Sequence, residues 1–499
     1  MRPLVLLCAL AVVFYLPPLL GGTVQFDGVD VHFSAQRYLS DELHAGRLPF
    51  WTPYIFGGFP FLADVQVGAW YPLHWPFLLF GITPASLTGE LLLHTIVACS
   101  GAYMLGVRLL GERSTAFGVA LFYGLSGWFA AHSQHIGMFL VAAWLPWLVI
   151  LLDRARQGLT VRRLALAGLL GAALALPGHF QTALYAFCFS ALWAALETFA
   201  GRAPSKFVGL LVTVTAVGVW GGLLAAVMVL PGLELVSQSV RQTVNARAST
   251  LGFFQPEALL TLVQPDHYGL LSGHYVGPGD STQHYFYAGL LLGPLALLGA
   301  RNTRILRSAA FLGLPFLWYA LGPSGGLFQV VARLPGFRSV ELPMHGWFLP
   351  ALGLALLGGA GLSRLPARVR PVLLGLVFLD ALLVNQLSNP LAYARATFDA
   401  LYGQPLDAFA RQVAQAAPAV ERVYGPPMAA IGYRNHALQS RVATTYGYNP
   451  LELSAYAAYA EAAEANPRLV DGLAASHRLV DGLLVPNPGN LPVAYFARQ

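Results

Sequence analysis

The chain has 499 residues, of which 56% are hydrophobic and only 10% are charged. So small a charged fraction cannot cover the surface of a soluble protein of this length, which excludes a soluble enzyme, and it excludes a nucleic-acid-binding protein despite the formal net charge of +6. The composition is that of an all-α polytopic membrane protein, and the sign of its charge has to be read loop by loop.

Apolar runs long enough to cross about 30 Å of hydrocarbon as helix fall at 4–20, 89–109, 114–130, 137–152, 164–176, 180–199, 207–230, 284–298, 308–321, 346–362 and 372–387. They predict about eleven transmembrane helices. The first has Arg2 ahead of its apolar run, as a signal peptide would. Pro17-Pro18 and Gly21-Gly22 stand in place of a small-x-small cleavage site, so the segment reads as retained. Cys8, Cys99 and Cys188 all fall inside predicted helices and read as small buried hydrophobes, with neither a disulfide nor a zinc site expected.

With the N-terminus in the cytoplasm, the loops on that side carry Arg2, Arg108, Arg113, Arg154, Arg156, Arg162, Arg163, Arg202, Lys206, Arg301, Arg304, Arg307, Arg364, Arg368 and Arg370. Their acids are few, namely Glu112, Asp153 and Glu197, and none of the 13 histidines falls among them. This is the positive-inside pattern. An odd number of crossings then places the loops 21–76, 231–283 and 322–344 and the tail 388–499 on the opposite face. The expected division is a transmembrane domain over 1–387 and a small α+β extracytoplasmic domain over 388–499.

The first outer loop concentrates Asp27, Asp30, Asp41, Glu42 and Asp64 among many aromatics. From Val31 to Ala45 the spacing of Phe33, Tyr38, Leu39 and Leu43 predicts an amphipathic helix lying on the membrane surface, ended by Gly46 and Pro49. The aromatic, Gly- and Pro-rich stretch that follows suits an irregular loop at the interface. Asp27 and Asp30 lie at the mouth of the first membrane segment. One could simply cap the helix; the polar company on the same face points instead to chemistry.

Asp27 followed by GRLPFWTPYIFGGFPFLADVQVGAWYP (46–72) resembles the signature of the bacterial YfhO family, an acidic loop start followed by G-x-x-P-x-W-N-P-Y-x-x-G-G-x-P and Q-x-x-x-x-Y-P. The likeness continues through HSQHIGMFLVAAWLPWLVILLDR (132–154), PGHFQTALY (177–185), LLTLVQPDHYG (259–269), YAGLLLGPLALL (287–298), LPGFRSVELPMHGW (334–347), TTYGYNPLELSAY (444–456) and NPGNLPVAYF (487–496). The resemblance implies a GT-C architecture in the bacterial cytoplasmic membrane: a multi-pass glycosyltransferase that moves sugar from a polyprenyl-phosphate carrier to an extracytoplasmic glycan, lipid or protein. Such enzymes place an acid of the first outer loop at the reaction centre, and Asp27, then Asp30, correspond to it. Thr52 replaces the Asn usual after the motif's Trp.

The chemistry agrees. A polyprenyl phosphate is already a good leaving group, so one carboxylate acting as base on the incoming hydroxyl suffices, with inversion, plus positive charge or donors for the phosphate. Between the first loop and the tail, outer-face arginines are scarce: Arg241, Arg247, Arg333 and Arg338. Each could equally contact lipid headgroups. Arg338 is the leading candidate for phosphate, although the family pattern there has basic residues where this chain has Glu341 and His345.

The outer-face histidines form the second group of candidates. His132 and His135, spaced i, i+3, could present two imidazoles to one divalent cation, or serve in interfacial hydrogen bonding or substrate contact; no cofactor is required by the pattern. His179 and Gln181 within PGHFQ, and His284 at the start of a predicted helix, suit substrate contact, with Asp266 and His267 in the large loop and His345 beyond it. Inside the helices, Glu90 and His94 are placed to pair, and Asp380 is isolated. In the tail, Ala-rich helix is followed by strand-like pieces at 422–424 and 441–445, then helix from Leu451; RLVDGL occurs at Arg468 and again at Arg478, more a local duplication than a functional repeat. Two contrasting readings share these features: a non-catalytic transporter or scaffold for lipid-linked sugars, and an oligosaccharide ligase.

Overall fold

A computed structural model describes residues 2–156, 158–242, 252–334, 336–337, 342–416, 420–425 and 431–492. Arg247, Arg338 and Glu341 lie outside the described residues. The chain is a mostly helical multi-pass membrane protein with a small sheet near its C-terminus. Eight helices among the described residues are long and apolar enough to cross a membrane: Arg2–Gly21, Pro84–Leu110, Arg113–Ala131, Ile136–Ala155, Phe180–Ala200, Phe207–Leu224, Pro343–Leu362 and Arg370–Ser388. Each matches a predicted apolar run.

The three other predicted runs are also helical, one of them only in part. The run at 164–176 is the 15-residue helix Val161–Ala175, and that at 308–321 is Thr303–Ala320, with Pro315 inside it. The run at 284–298 is helical only over Leu292–Gly299, so His284 does not begin a helix. The preceding residues are taken up by partners elsewhere: the Phe286 N–H donates to Thr261 Oγ1 (3.1 Å), the Gly127 N–H to the Tyr287 carbonyl (2.6 Å), and the Tyr287 hydroxyl to Asp380 (2.9 Å). Asp380 also accepts from the Leu290 N–H at 2.9 Å, so this half-buried carboxylate is satisfied locally. His94 Nδ1 donates to the Glu90 carbonyl oxygen at 2.9 Å, one turn earlier in the same helix.

The fold comprises two compact units. The first contains Met1–Leu20, Thr88–Ala226 and Asn245–Ala394. Water gives helices no reason to associate inside a bilayer, so close backbone approach at small residues has to supply the contact. Gly171 of Val161–Ala175 packs on Gly221 of Phe207–Leu224, where a Cβ on Gly171 would stand 2.9 Å from the Gly221 Cα. Gly299 and Gly361 do the same for Leu292–Gly299 against Phe348–Leu362. The predicted inner loops are joined by ion pairs. Arg108 Nε meets Asp153 at 2.5 Å, Asp153 meets Arg156 at 3.1 Å, Arg156 donates to the Glu197 carbonyl at 2.9 Å, and Glu197 meets Arg307 at 2.8 Å. Arg370 pairs with Glu112.

The second unit contains Gly21–Leu87, Val227–Val244 and Arg395–Gln499. The predicted amphipathic helix is the π-turn Gly28–Phe33 continued by the α-helix Ser34–His44, and Gly46 leaves it at φ 72°. Much of its surface is covered within the unit: Tyr38, Leu39, Ser40 and Glu42 are all buried. A four-stranded sheet in the order β2-β1-β3-β4 is built from β1 (Arg422–Tyr424), β2 (Ala443–Thr444), β3 (His477–Val480) and β4 (Leu483–Pro486). β1 pairs parallel with β2 and β3, and β3 pairs antiparallel with β4.

The two RLVDGL copies fold differently. The first lies in the 3-10 helix Pro467–Leu473; the second is the β3–β4 hairpin. Asp481 and Gly482 form its two-residue loop with φ 49° and 78°, both left-handed, as a type I′ turn requires.

Candidate functional site

The first-loop motif docks on the sheet of its own unit. The Tyr54 carbonyl accepts from the Thr444 N–H (2.9 Å), and the Gly57 N–H donates to the Thr444 carbonyl (2.9 Å), so the Gly-Gly turn lies along β2. Thr52 and Phe59 close that turn as an isolated antiparallel bridge, with Phe56, Gly57 and Gly58 at φ 53°, 66° and 137°. A Cβ on Gly58 would stand 2.6 Å from the Trp51 ring, which accounts for the glycine there.

All five of the loop's acids meet groups contributed by residues 434–449. Asp30, inside the π-turn, accepts from the Arg434 backbone N–H at 2.8 Å, with the Arg434 Nε 3.7 Å from its other oxygen. Glu42 binds Arg441 at 2.6 Å and Arg47 at 2.7 Å, and Asp41 lies 4.0 Å from Arg441 and 3.1 Å from Arg37. Asp64 accepts from Asn449 Nδ2 at 2.6 Å and from the Gln66 N–H at 2.9 Å. The fifth, Asp27, is half-buried beside Asp30 and hydrogen bonds with the Tyr448 side chain. The Arg434 guanidinium stacks 4.1 Å from the Tyr448 ring centroid. Asn435 holds Tyr448 in place, donating to its carbonyl at 2.9 Å and accepting from its N–H at 2.8 Å.

Burial raises the pKa of Asp30 above the usual carboxylate range; the Arg434 N–H and guanidinium pull the other way, and Asp27 adds to the rise. Burial takes Asp64 further, to about 6. Glu42 is held below its usual value, chiefly by its hydrogen bond from Arg47 and then by that from Arg441. Two carboxylates, a guanidinium and a phenol thus share one polar cluster, and the loop's charge is balanced by a tail more than 350 positions away in sequence. An apolar recess of about 260 Å³ in the same unit is lined by Leu39, Leu43, Trp75 and Leu79 among others.

Arg241, the remaining predicted arginine of this unit, sits in the short turn Val240–Gln242, whose backbone is tied to Glu452 (Val240 N–H to the Glu452 carbonyl, 2.9 Å). The other predicted site residues belong to the first unit. His132, His135 and His345 are brought together, with ring centroids 5.5–5.9 Å apart. His132 stacks on Trp128 at 4.3 Å and donates from Nδ1 to the Trp128 carbonyl at 2.8 Å. His179 and Asp280 are close enough to act electrostatically on this group. Among the described residues no three His, Cys, Asp or Glu side chains are placed to hold a metal ion.

The remaining candidates have local partners. His179 caps Phe180–Ala200, its Nδ1 accepting from the Thr182 N–H and hydroxyl (3.3 and 2.8 Å). Gln181 donates to the Leu342 carbonyl at 2.9 Å. His284 is buried with Nε2 on the Phe253 carbonyl (3.2 Å), and burial lowers its pKa. Asp266 accepts from the N–H groups of Leu271 and Ser272, and His267 pairs with Glu257 at 3.3 Å, so these two close their own loop. Arg434, Tyr448 and Asn449 went unassigned in the sequence, although TTYGYNP already marked their neighbourhood by motif.

The fold is that of the GT-C glycosyltransferases. Two solved structures carry the likeness. The cryo-EM structure of the arabinofuranosyltransferase AftD from Mycobacteria aligns with 90% of this chain at 17% identity and a TM-score of 0.55. The crystal structure of ArnT from Cupriavidus metallidurans bound to undecaprenyl phosphate aligns with 94% of this chain and 90% of its own, at 14% identity and a TM-score of 0.53. The chain spans 32% of the AftD chain. No protein-family model matches the sequence, and no curated protein matches it.

Proposed function

We propose that the chain is a membrane glycosyltransferase that takes a sugar from a polyprenyl-phosphate carrier and passes it to an acceptor outside the cytoplasm. The observation that carries this reading is the Asp27–Tyr448–Arg434–Asp30 cluster, formed by the first loop and the tail on a GT-C fold. The motif set resembles that of the YfhO family. The positive-inside pattern supports a cytoplasmic N-terminus, and the ion pairs that join the predicted inner loops support one shared side for them.

In this mechanism the acceptor hydroxyl oxygen attacks the anomeric carbon. The bond from that carbon to the phosphate oxygen breaks, and the electron pair leaves with the polyprenyl phosphate. The hydroxyl proton passes to Asp27, and the anomeric configuration inverts. Asp30, with an oxygen already engaged by the Arg434 N–H, orients the guanidinium, whose forked donors suit a phosphate or a sugar oxygen.

The test is transfer of labelled sugar from a panel of polyprenyl-phosphate sugars to membrane acceptors, comparing the native chain with Asp27→Asn at matched expression. Loss of about 10²–10⁴-fold on Asp27→Asn supports the base. A folded, inserted chain that uses no donor in the panel sinks the transferase reading and leaves a lipid-linked-sugar transporter or scaffold.

A further inference from the structure

A second, larger recess lies in the first unit, away from every residue discussed above as catalytic. It encloses about 780 Å³ between the helices Leu145–Ala155, Val161–Ala175 and Pro84–Leu110. Its walls are apolar, with Trp144, Trp147 and Leu169 among them, and Ala173 at the far end of Val161–Ala175. Arg154, Arg162 and Arg163 line it where one helix ends and the next begins. The cavity is therefore amphipathic along its length, with its charge of a single sign.

Arg154 and Arg162 are available, while the Arg163 guanidinium also donates to the Gly158 carbonyl. Asp153, beside Arg154 in sequence, is already held by Arg108 and Arg156. Neither Arg154 nor Arg162 pairs with a carboxylate among the described residues. Thr160 caps Val161–Ala175 by accepting from the Arg163 N–H (3.2 Å), so the positive end of that helix points to the same place. Length narrows the occupant. From Trp144 to Arg154, and from Arg162 to Ala173, the walls run about 15–17 Å at 1.5 Å per residue, roughly one leaflet of a hydrocarbon core about 30 Å thick.

We infer that this slot binds one anionic phospholipid, its phosphate on Arg154, Arg162 and Arg163 and an acyl chain along Trp144, Trp147 and Leu169 toward Ala173. A polyprenyl chain is far longer than one leaflet and does not match the walls. A zwitterionic headgroup would bring a cation to three guanidiniums. The loop belongs to the basic set that faces the cytoplasmic leaflet, where anionic lipid attracts juxtamembrane arginine. The lipid would brace Leu145–Ala155, which continues from the helix Ile136–Ala143 that follows His135. The inference stands independently of the transferase reading.

The experiment reconstitutes the full chain into vesicles of phosphatidylglycerol and phosphatidylcholine in equal amounts, re-extracts it in mild detergent, and reads retained lipid by native mass spectrometry. One phosphatidylglycerol held in preference to phosphatidylcholine is expected. Combined Arg154→Gln, Arg162→Gln and Arg163→Gln lowers that preference about tenfold or more, and Ala173→Trp, which fills the slot but keeps the arginines, abolishes retention. Equal retention of both lipids, retention untouched by Ala173→Trp, or replacement of phosphatidylglycerol by added polyprenyl phosphate each overturns the inference. If the triple variant does not fold, as judged by size exclusion, Ala173→Trp decides alone.

Discussion

The backbone N–H of Arg434 donates to Asp30 Oδ1 at 2.8 Å, across 404 positions of sequence. Because that bond is made by the main chain, it survives a change of the Arg434 side chain to any residue but proline. Arg434→Gln therefore removes the guanidinium while leaving the Asp30 contact in place. The melting temperature in detergent should move little, while sugar transfer falls with most of the loss in KM for the donor. Asp30→Asn weakens the contact itself and should cost stability as well, about 1.5–3 kcal/mol for a hydrogen bond to a charged group.

Asp64 and Glu42 give the second unit opposite acid responses. The folded pKa of Asp64 is raised by burial from 3.8 to about 6. Its stabilising share is complete below about pH 3.8 and is lost as pH climbs toward 6, about 3 kcal/mol at 1.36 kcal/mol per unit. Glu42 is depressed, so its share is present above about 4.5 and is lost as pH falls. Thermal melts between pH 3 and 7 check both. Asp64→Asn should flatten the decline from pH 4 to 6, and Glu42→Gln should flatten the acid side.

The duplicated hexapeptide offers a paired test of backbone conformation. Gly482 sits at φ 78° in the hairpin loop, whereas Gly472 lies in the 3-10 helix and is not among the left-handed glycines. Gly482→Val should destabilise the tail by about 1–2 kcal/mol, the cost of forcing a side chain into the left-handed region. Gly472→Ala should cost less. Limited proteolysis of the folded protein reads the difference.

Helix packing in the first unit rests on Gly171 against Gly221. Gly171→Leu inserts a side chain where the facing backbone already lies, and the expected loss is at least the 1–3 kcal/mol typical of overpacking. Fluorescence-detected size exclusion should show a reduced monodisperse peak, whereas Gly222→Leu, whose Cβ position is open, should behave as the native chain.

What the sequence made legible follows from the range of each signal. Membrane helices announce themselves in one continuous apolar run, so eight runs reappear as spans long enough to cross. Strand-like pieces at 422–424 and 441–445 were visible for the same local reason, and both belong to the sheet. The stretch 284–291 misled because its apolar composition says nothing of Thr261, Gly127 and Asp380, which draw it out of helix. The first loop's acids stood out against a chain poor in charge, but nothing near them named their partners. Arg434, Arg441 and Asn449 are joined to them only by the fold, and a pattern read along the chain carries no trace of a contact hundreds of residues long. The repeated RLVDGL makes the point in miniature, since identical letters became helix once and hairpin once.

The pairing of Asp30 with Arg434 also sets an order of events in time. A ribosome makes the first loop long before residues 434–449, so the loop's acids spend most of synthesis without the groups that hold them. A chain halted between Ser388 and Arg434 has its membrane helices but no finished polar cluster. The cluster is thus open for as long as the chain is being made, and it closes only when its late segment arrives.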